Sequence, residues 1–386
     1  LKQQGGWLEQ EWRLRGLNAS LVPSQGLFGW TKAMTAEFDF EFEFETVCPA
    51  NDPAQALAIR QLLANCHLDA DPDIDVFVVA HREKQLVACA GLAANVIKCV
   101  AINPECRGES LSLQLVSRVV TLAAELGHFH LFLYARPCNE PFFRGCGFYP
   151  LVEVPDTMTL FENTPVGISR YCEQLRQTRH PGARIGCIVM NANPFTVGHQ
   201  YLVRRALEAC DWLHVFVVSE DVSQFRFADR FLLVSQGLAG TERLTVHYGS
   251  RYTISKATFP GYFLKDKGMI EHCRTAIDLL LFRQYIAPAL GITHRFVGTE
   301  PFCVVTNRYN EDMKHWLQHT QAPGSPVGVV EISRYVKAGI PVSASAVRRL
   351  LATGDFARIR PLVPDSTFRF LMKGAPIPGH SLHMQG

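Results

Sequence analysis

RIGCIVMNANPFTVGHQYLV, residues 184–203, is the stretch that decides the fold. It opens as an unbroken apolar run, Ile185 to Met190, suited to a strand covered on both faces. It closes as the first turn of an amphipathic helix. Between the two, Asn193, Thr196, Gly198 and His199 lie in one short loop. Strand, polar loop and helix in that order form the first unit of a parallel α/β sheet, in which ligands sit beyond the carboxyl ends of the strands. Gly198 lets a backbone approach a ligand closely, and a helix N-terminus attracts anions. The plain alternative is that His199 only caps its helix.

Downstream, the same alternation continues. Helical QYLVRRALEAC, strand WLHVFVVS, helical FADRFLLVSQGLA, strand RLTVHYG, a long helical HCRTAIDLLLFRQYIAPAL, strand THRFVG and strand PVGVVEI follow in turn. Strands separated by helices imply right-handed crossovers and a doubly wound parallel sheet over 183–372. A second polar helix start, PVSASAVRRLLATGDF (341–356), sets Ser343 and Ser345 beside Arg348 one turn later. Small hydroxyls at a helix start and a guanidinium on the same end suit phosphate oxygens; a Ser cap with surface arginines is the plain reading. No GxxxxGK[ST] occurs, so phosphates are not gripped in the P-loop manner.

Upstream, the pattern differs. FDFEFEFE (38–45) alternates with period two, and DPAQALAIRQLLANC reads as a helix with Asp52 as N-cap and Pro53 at the first helical position. Strand-like IDVFVVAHR and QLVACAGLAANVIKCVAI, helical SLSLQLVSRVVTLAAELG, strand HFHLFLYARP and a closing EPFFRGCGFYPL complete residues 38–162 as an α+β domain. Residues 163–182, ending in His180-Pro181-Gly182, read as a linker with a short helical pattern. Residues 1–37 read as an extension, either an upstream in-frame addition or a loosely packed arm, and 373–386 as a tail.

At 386 residues the chain is long enough for two cores. Lys+Arg 38 against Asp+Glu 36 leaves +2, too little for a general nucleic-acid binder. Twelve cysteines without a CxxC pair fit a reducing compartment better than a disulfide framework. No apolar run reaches membrane-spanning length and no secretory signal opens the chain, so a soluble cytoplasmic protein is expected. His128 and His130 share a strand face without a third ligand, so no metal site is expected; Cys146 and Cys303 read as inert thiols rather than acyl relays.

Residues 39–160 resemble the GNAT acetyltransferase fold. That resemblance implies that the turn NPECRGES, with Arg107 and Gly108, holds the pyrophosphate of coenzyme A or of a prosthetic group like it; Glu105 and Ser110 depart from the usual pattern. Thr196 to His199 resemble the (H/T)xGH motif of the nucleotidylyltransferase superfamily, and Ser343, Ser345 and Arg348 resemble its ISxTxxR element. The fold class is thus a GNAT-like α+β domain followed by a Rossmann-like nucleotidylyltransferase domain.

The whole chain from about Phe38 to Arg369 resembles the citrate lyase ligase family. This implies ATP and acetate as substrates, acetyl-adenylate as intermediate, and the prosthetic-group thiol on the acyl carrier subunit of citrate lyase as acceptor. His199 and Arg348 would be the principal stabilisers, with Asn193, Thr196, Gly198, Ser343 and Ser345 supporting ATP and Mg²⁺ bridging its phosphates. Gly298, Thr299, Glu300 and Asn310 either line the adenosine or acetate pocket or satisfy their own backbone. Lys265 either stands near the acetate or is an ordinary exposed lysine. The alternatives are a GNAT-type acetyltransferase using acetyl-CoA, an adenylyltransferase of cofactor synthesis, and a carrier-binding protein without turnover.

Overall fold

The computed structural model describes residues 42–106, 109–219, 223–250, 252, 267–299, 304–319, 321–337 and 340–374. The expected extension, Arg107, Gly108, Lys265, Glu300, Cys303 and most of the C-terminal tail therefore lie outside the described residues. Residues Phe42–Gly386 form one compact unit.

The N-terminal domain runs β1 (Glu43–Val47), α1 (Pro53–Asn65), β2 (Val76–Arg82), β3 (Gln85–Ala93), β4 (Val96–Ile102), α2 (Glu109–Glu125), β5 (Phe132–Ala135), α3 (Glu140–Gly145), β6 (Tyr149–Val154) and β7 (Met158–Glu162). Asp52 caps α1 as expected, accepting from the backbone N–H groups of Ala54 and Gln55 at 3.1 and 3.0 Å. The expected QLVACAGLAANVIKCVAI strand is a hairpin, because Ala94 turns the chain at φ 47° between β3 and β4. The seven strands pair in the order β1-β2-β3-β4-β5-β7-β6, antiparallel except for β4 with β5. That order is the GNAT-like arrangement.

Period two divides the side chains of this sheet. Leu133, Ala135 and Phe161 face α2, which buries Leu111, Leu115, Val116, Val119 and Ala123 along one stripe. Phe132, Tyr134 and Leu160 face the other way. Strands β4 and β5 pair only at Val96 with Phe132 and Ile97 with Leu133, then part. A cleft of about 470 Å³ opens there, lined on its two sides by Val100, Ala101 and Ile102 and by Leu133 to Arg136.

After the helix α4 (Gly167–Arg176), the C-terminal domain runs β8 (Ile185–Met190), α5 (Val197–Leu207), β9 (Trp212–Val217), α6 (Phe227–Gly237), β10 (Leu244–His247), α7 (Lys267–Leu281), α8 (Ala287–Leu290), β11 (His294–Gly298), α9 (Val304–Lys314), β12 (Gly328–Ile332), the short ribbon β13 (Val336–Lys337) and β14 (Ile340–Pro341), α10 (Ala344–Ala352), α11 (Phe356–Ile359) and α12 (Asp365–Met372). Its five strands are all parallel in the order β10-β9-β8-β11-β12. The direction of winding reverses between β8 and β11, the switch point at which such sheets bind ligands.

The two domains share a core. Leu151, Val152, Met158 and Leu160 of the first sheet pack in one cluster with Ile168, Cys172 and Leu175 of α4 and with Cys273, Ala276, Ile277 and Leu280 of α7. Residues 163–182 therefore carry a helix with a buried apolar stripe, a structural element in its own right. Polar bonds tie the same junction. Glu162, 1% exposed, accepts from Tyr252 Oη at 2.7 Å and from the Ile168 N–H at 3.0 Å, and lies 2.7 Å from His130 Nε2. Tyr285 Oη donates to the Leu151 carbonyl at 2.9 Å.

Candidate active site

The apolar strand β8 delivers its loop to the switch point. Asn191, Ala192 and Asn193 leave the sheet, a cis peptide joins Asn193 to Pro194, and Thr196 caps α5. Arg230, fully buried on α6, fastens this loop from below. Its guanidinium donates to the Asn191 carbonyl at 2.9 Å, the Asn191 side chain at 2.8 Å and the Val218 carbonyl at 2.7 Å.

Thr196 and His199 form a reciprocal cap. The His199 N–H donates to Thr196 Oγ1 at 3.4 Å, and the Thr196 N–H donates to His199 Nδ1 at 3.0 Å. A backbone N–H can only donate, so Nδ1 carries no proton and the neutral ring keeps its hydrogen on Nε2, the nitrogen left for a ligand. Desolvation and the nearby Arg334 charge push the His199 pKa down to about 4, so the ring is a neutral N–H donor at neutral pH. Thr196 is 1% exposed and its hydroxyl lies 2.9 Å from the same Nδ1. The hydroxyl thus supports the imidazole from the cavity wall.

The second motif meets the first. Ser343 caps α10, accepting from the Ala346 N–H at 3.1 Å, and Arg348 extends from the first turns of that helix. One arm of its guanidinium donates to the Asn193 carbonyl at 2.6 Å and the other to Ser345 Oγ at 3.2 Å. Both serine oxygens act as acceptors, which leaves each O–H free to donate to a ligand. Close approach explains Gly198: a methyl group there would lie 3.3 Å from the Val342 carbonyl oxygen, immediately before Ser343.

These residues surround one cavity of about 340 Å³, bounded by the loops that follow β8, β11 and β12 and by the start of α10. Asn193, Thr196, Gly198, His199, Gly298, Ser343, Ser345 and Arg348 all line it. Among the described lining residues are two arginines and a histidine but no carboxylate. With the N-termini of α5 and α10 added, the potential favours a polyanion. Among the described residues no group of three or more His, Cys, Asp or Glu side chains is arranged to hold a metal.

The other expected residues divide. Thr299 stands behind the wall: its N–H donates to the Ile332 carbonyl at 2.9 Å and its hydroxyl accepts from the Arg334 N–H at 3.2 Å. Asn310 lies on α9. It is fully buried, with its amide donating to the Gly298 carbonyl at 3.2 Å and to Glu331 at 3.3 Å, so it supports Gly298 and does not line the cavity. Burial raises the Cys146 thiol to about 11, which disfavours the thiolate that a relay needs. Sequence reading passed over Arg334 and Tyr335. Their position directly after an apolar parallel strand, in EISRYV, is the signal that marks them.

Residues 185–371 match the model of the citrate lyase ligase C-terminal domain. The chain is 52% identical over 313 residues to the [citrate [pro-3S]-lyase] ligase of Escherichia coli K12, covering 81% of this chain and 89% of that protein. It is 49% identical to the protein of that name from Klebsiella pneumoniae, over 83% of this chain and 94% of the relative. The Haemophilus influenzae protein of that name is 44% identical over 82% and 94%. Among solved structures, Escherichia coli ElaA aligns with 32% of this chain and 99% of its own at 20% identity and a TM-score of 0.29. An acyl-CoA N-acyltransferase from Pseudomonas aeruginosa gives the same figures. With relatives this similar along most of its length, and with both polar helix starts gathered at one cavity, this chain belongs to the citrate lyase ligase family and is an enzyme of that type.

Proposed function

We propose that this enzyme uses ATP and acetate to acetylate the prosthetic-group thiol on the acyl carrier subunit of citrate lyase, releasing AMP and pyrophosphate. One observation carries the proposal: the cavity that joins residues 193–199 to 343–348 is ringed by cationic and neutral donors and has no carboxylate among its described lining residues. The name shared by the relatives, [citrate [pro-3S]-lyase] ligase, supports citrate lyase as the protein acted on.

In the first half-reaction an acetate oxygen attacks the α-phosphorus. The bond to the bridging oxygen breaks, and pyrophosphate leaves with that electron pair. Acetate is already ionised at neutral pH, so the enzyme needs no general base for this step. Its work is alignment and stabilisation of charge. His199 would donate from Nε2 to a phosphate oxygen, Arg348 would neutralise developing charge, and the Ser343 and Ser345 hydroxyls would hold oxygens at the start of α10. A Mg²⁺ ion would arrive on the phosphates of ATP itself, since the described wall offers neutral oxygens only. In the second half-reaction the carrier thiolate attacks the acyl carbon, the carbon–oxygen bond to the phosphate breaks and AMP departs. The cleft between β4 and β5 has the size and apolar lining to receive the prosthetic arm.

Acetate-dependent exchange of pyrophosphate into ATP by the purified enzyme tests the first half. Exchange is expected to require acetate and to collapse in His199→Ala. Exchange that proceeds with a phosphomonoester and not with acetate would sink the proposal in favour of nucleotide transfer. Acetylation of the carrier from acetyl-CoA without ATP would replace it with GNAT-type chemistry.

A further inference from the structure

Neither motif includes Arg334, yet its placement is as constrained as theirs. The chain leaves β12 at Ile332, whose carbonyl accepts from Thr299 N–H at 2.9 Å. Arg334 N–H donates to Thr299 Oγ1 at 3.2 Å, and the Tyr335 carbonyl accepts from Val342 N–H at 3.0 Å. The Tyr335 ring packs 5.1 Å from that of Tyr201 on α5. The backbone carrying Arg334 is therefore fixed to β11 before it and to the approach to α10 after it. Its side chain is half-buried and lines the same cavity as His199 and Arg348.

A cation held on a rigid wall beside a neutral imidazole donor has an electrostatic consequence. Any anion that His199 contacts also feels the Arg334 charge, because both side chains line the one cavity. Arg348 belongs to a different wall, the start of α10, where its guanidinium also bridges Asn193 and Ser345.

We propose that Arg334 is a second phosphate-holding cation of this site, gripping from the β12 side the phosphates that leave as pyrophosphate. The inference rests on the reading of this cavity as an ATP site, but not on acetate or the carrier.

Calorimetric binding of pyrophosphate and of ATP to the full chain tests it, comparing the wild type with Arg334→Gln and Arg334→Lys. Arg334→Gln is expected to weaken both ligands by about tenfold or more. Arg334→Lys should recover part of that loss, since it keeps the charge without the planar fork. KM for acetate should stay unchanged while kcat/KM for ATP falls, a split that a merely structural residue would not produce. Unaltered pyrophosphate and ATP affinity in either folded variant overturns the proposal, and so does a rise confined to the acetate KM. If Arg334→Gln does not fold, Arg334→Lys alone decides by the same criterion. Wild-type enzyme that binds ATP through Arg334 but shows no acetate-dependent exchange refutes the acetate reading and leaves this one standing. Wild-type enzyme that binds neither ATP nor pyrophosphate overturns both.

Discussion

Arg348 donates a hydrogen bond of 2.6 Å to the backbone carbonyl of Asn193, 155 residues earlier in the chain. This contact stitches the start of α10 to the loop after β8, so that one side chain both closes the cavity and charges it. The partners explain why an arginine is required there: one arm reaches Asn193 while another reaches Ser345.

Replacing Arg348 therefore removes a strut and a charge together. Arg348→Ala is expected to lower acetate-dependent pyrophosphate exchange by about 10²–10³-fold, the usual loss when one donor to developing charge is deleted. Arg348→Lys should restore little, because a single ammonium cannot bridge both acceptors. Recovery of most activity in the lysine variant would show that only the charge matters. The assay is exchange at saturating ATP, with circular dichroism to establish folding.

Thr196 acts through its neighbour. Thr196→Val removes the hydroxyl that accepts from the His199 N–H and should cost about 1 kcal/mol of stability, as the loss of a helix cap does. It should also reduce kcat, since the imidazole loses one of its two fixed contacts with residue 196. Thr196→Ser keeps the oxygen and should restore both properties. Denaturant midpoints and exchange rates measured on the same preparations check this; a stability loss with unchanged kcat would reduce Thr196 to a cap.

Among the described residues, His199, His214 and His247 are held neutral in the fold. Burial pushes His199 to about 4, His214 to about 3 and His247 to about 4, from an ordinary value of 6.5. His214 and His247 share a 2.8 Å bond between neighbouring strands, where a second proton would set two donors face to face. Between pH 6.5 and these lowered values the unfolded chain binds more protons than the folded one. Stability is thus fully present above about pH 6.5 and falls as the pH drops through 4. Urea midpoints should decline from pH 7 to pH 5, with a shallower slope in His247→Gln. For activity the same shift means that His199 gives no acid limb to the exchange reaction above about pH 5. A titration near pH 6.5 that disappears in His199→Ala would contradict the buried neutral ring.

The shared core makes domain deletion a poor test of the GNAT-like half, because removing it would expose Ala276, Ile277 and Leu280 of α7. A substitution that fills the cleft is cleaner. Val100→Trp, on the β4 wall, should slow acetyl transfer to the carrier by about tenfold or more while leaving acetate-dependent pyrophosphate exchange intact, since Val100 does not line the cavity of His199 and Arg348. Equal rates of carrier acetylation in Val100→Trp and the wild type would remove the cleft from the reaction.

Much of this architecture was legible locally. The apolar run Ile185–Met190, the periodic helices and the Asp52 cap are properties of neighbouring residues, and each formed where its pattern lay. Both polar helix starts were legible for the same reason, a hydroxyl or histidine at a strand-to-helix switch. Asn310 was less legible, because VVTNRYN has little apolar period. It forms α9, and the amide goes to Gly298 and Glu331, partners that sequence spacing does not reveal.

From sequence alone came the two kinds of fold, the strands β8 to β12 with the helices α5 to α7 between them, and the residue types placed at the carboxyl ends of the parallel strands. Local periodicity and capping suffice for these, since they act within a few residues. Tertiary structure decided that Asn193 and Arg348 share one hydrogen bond, that Thr196 serves the imidazole, that Arg334 stands in the same wall, and that α4 and α7 weld the domains into one core. The joining of Asn193 to Arg348 and of the two sheets depends on crossovers that bring residues 130 and more positions apart into contact, and on burial that removes them together from water, which no short stretch of chain encodes.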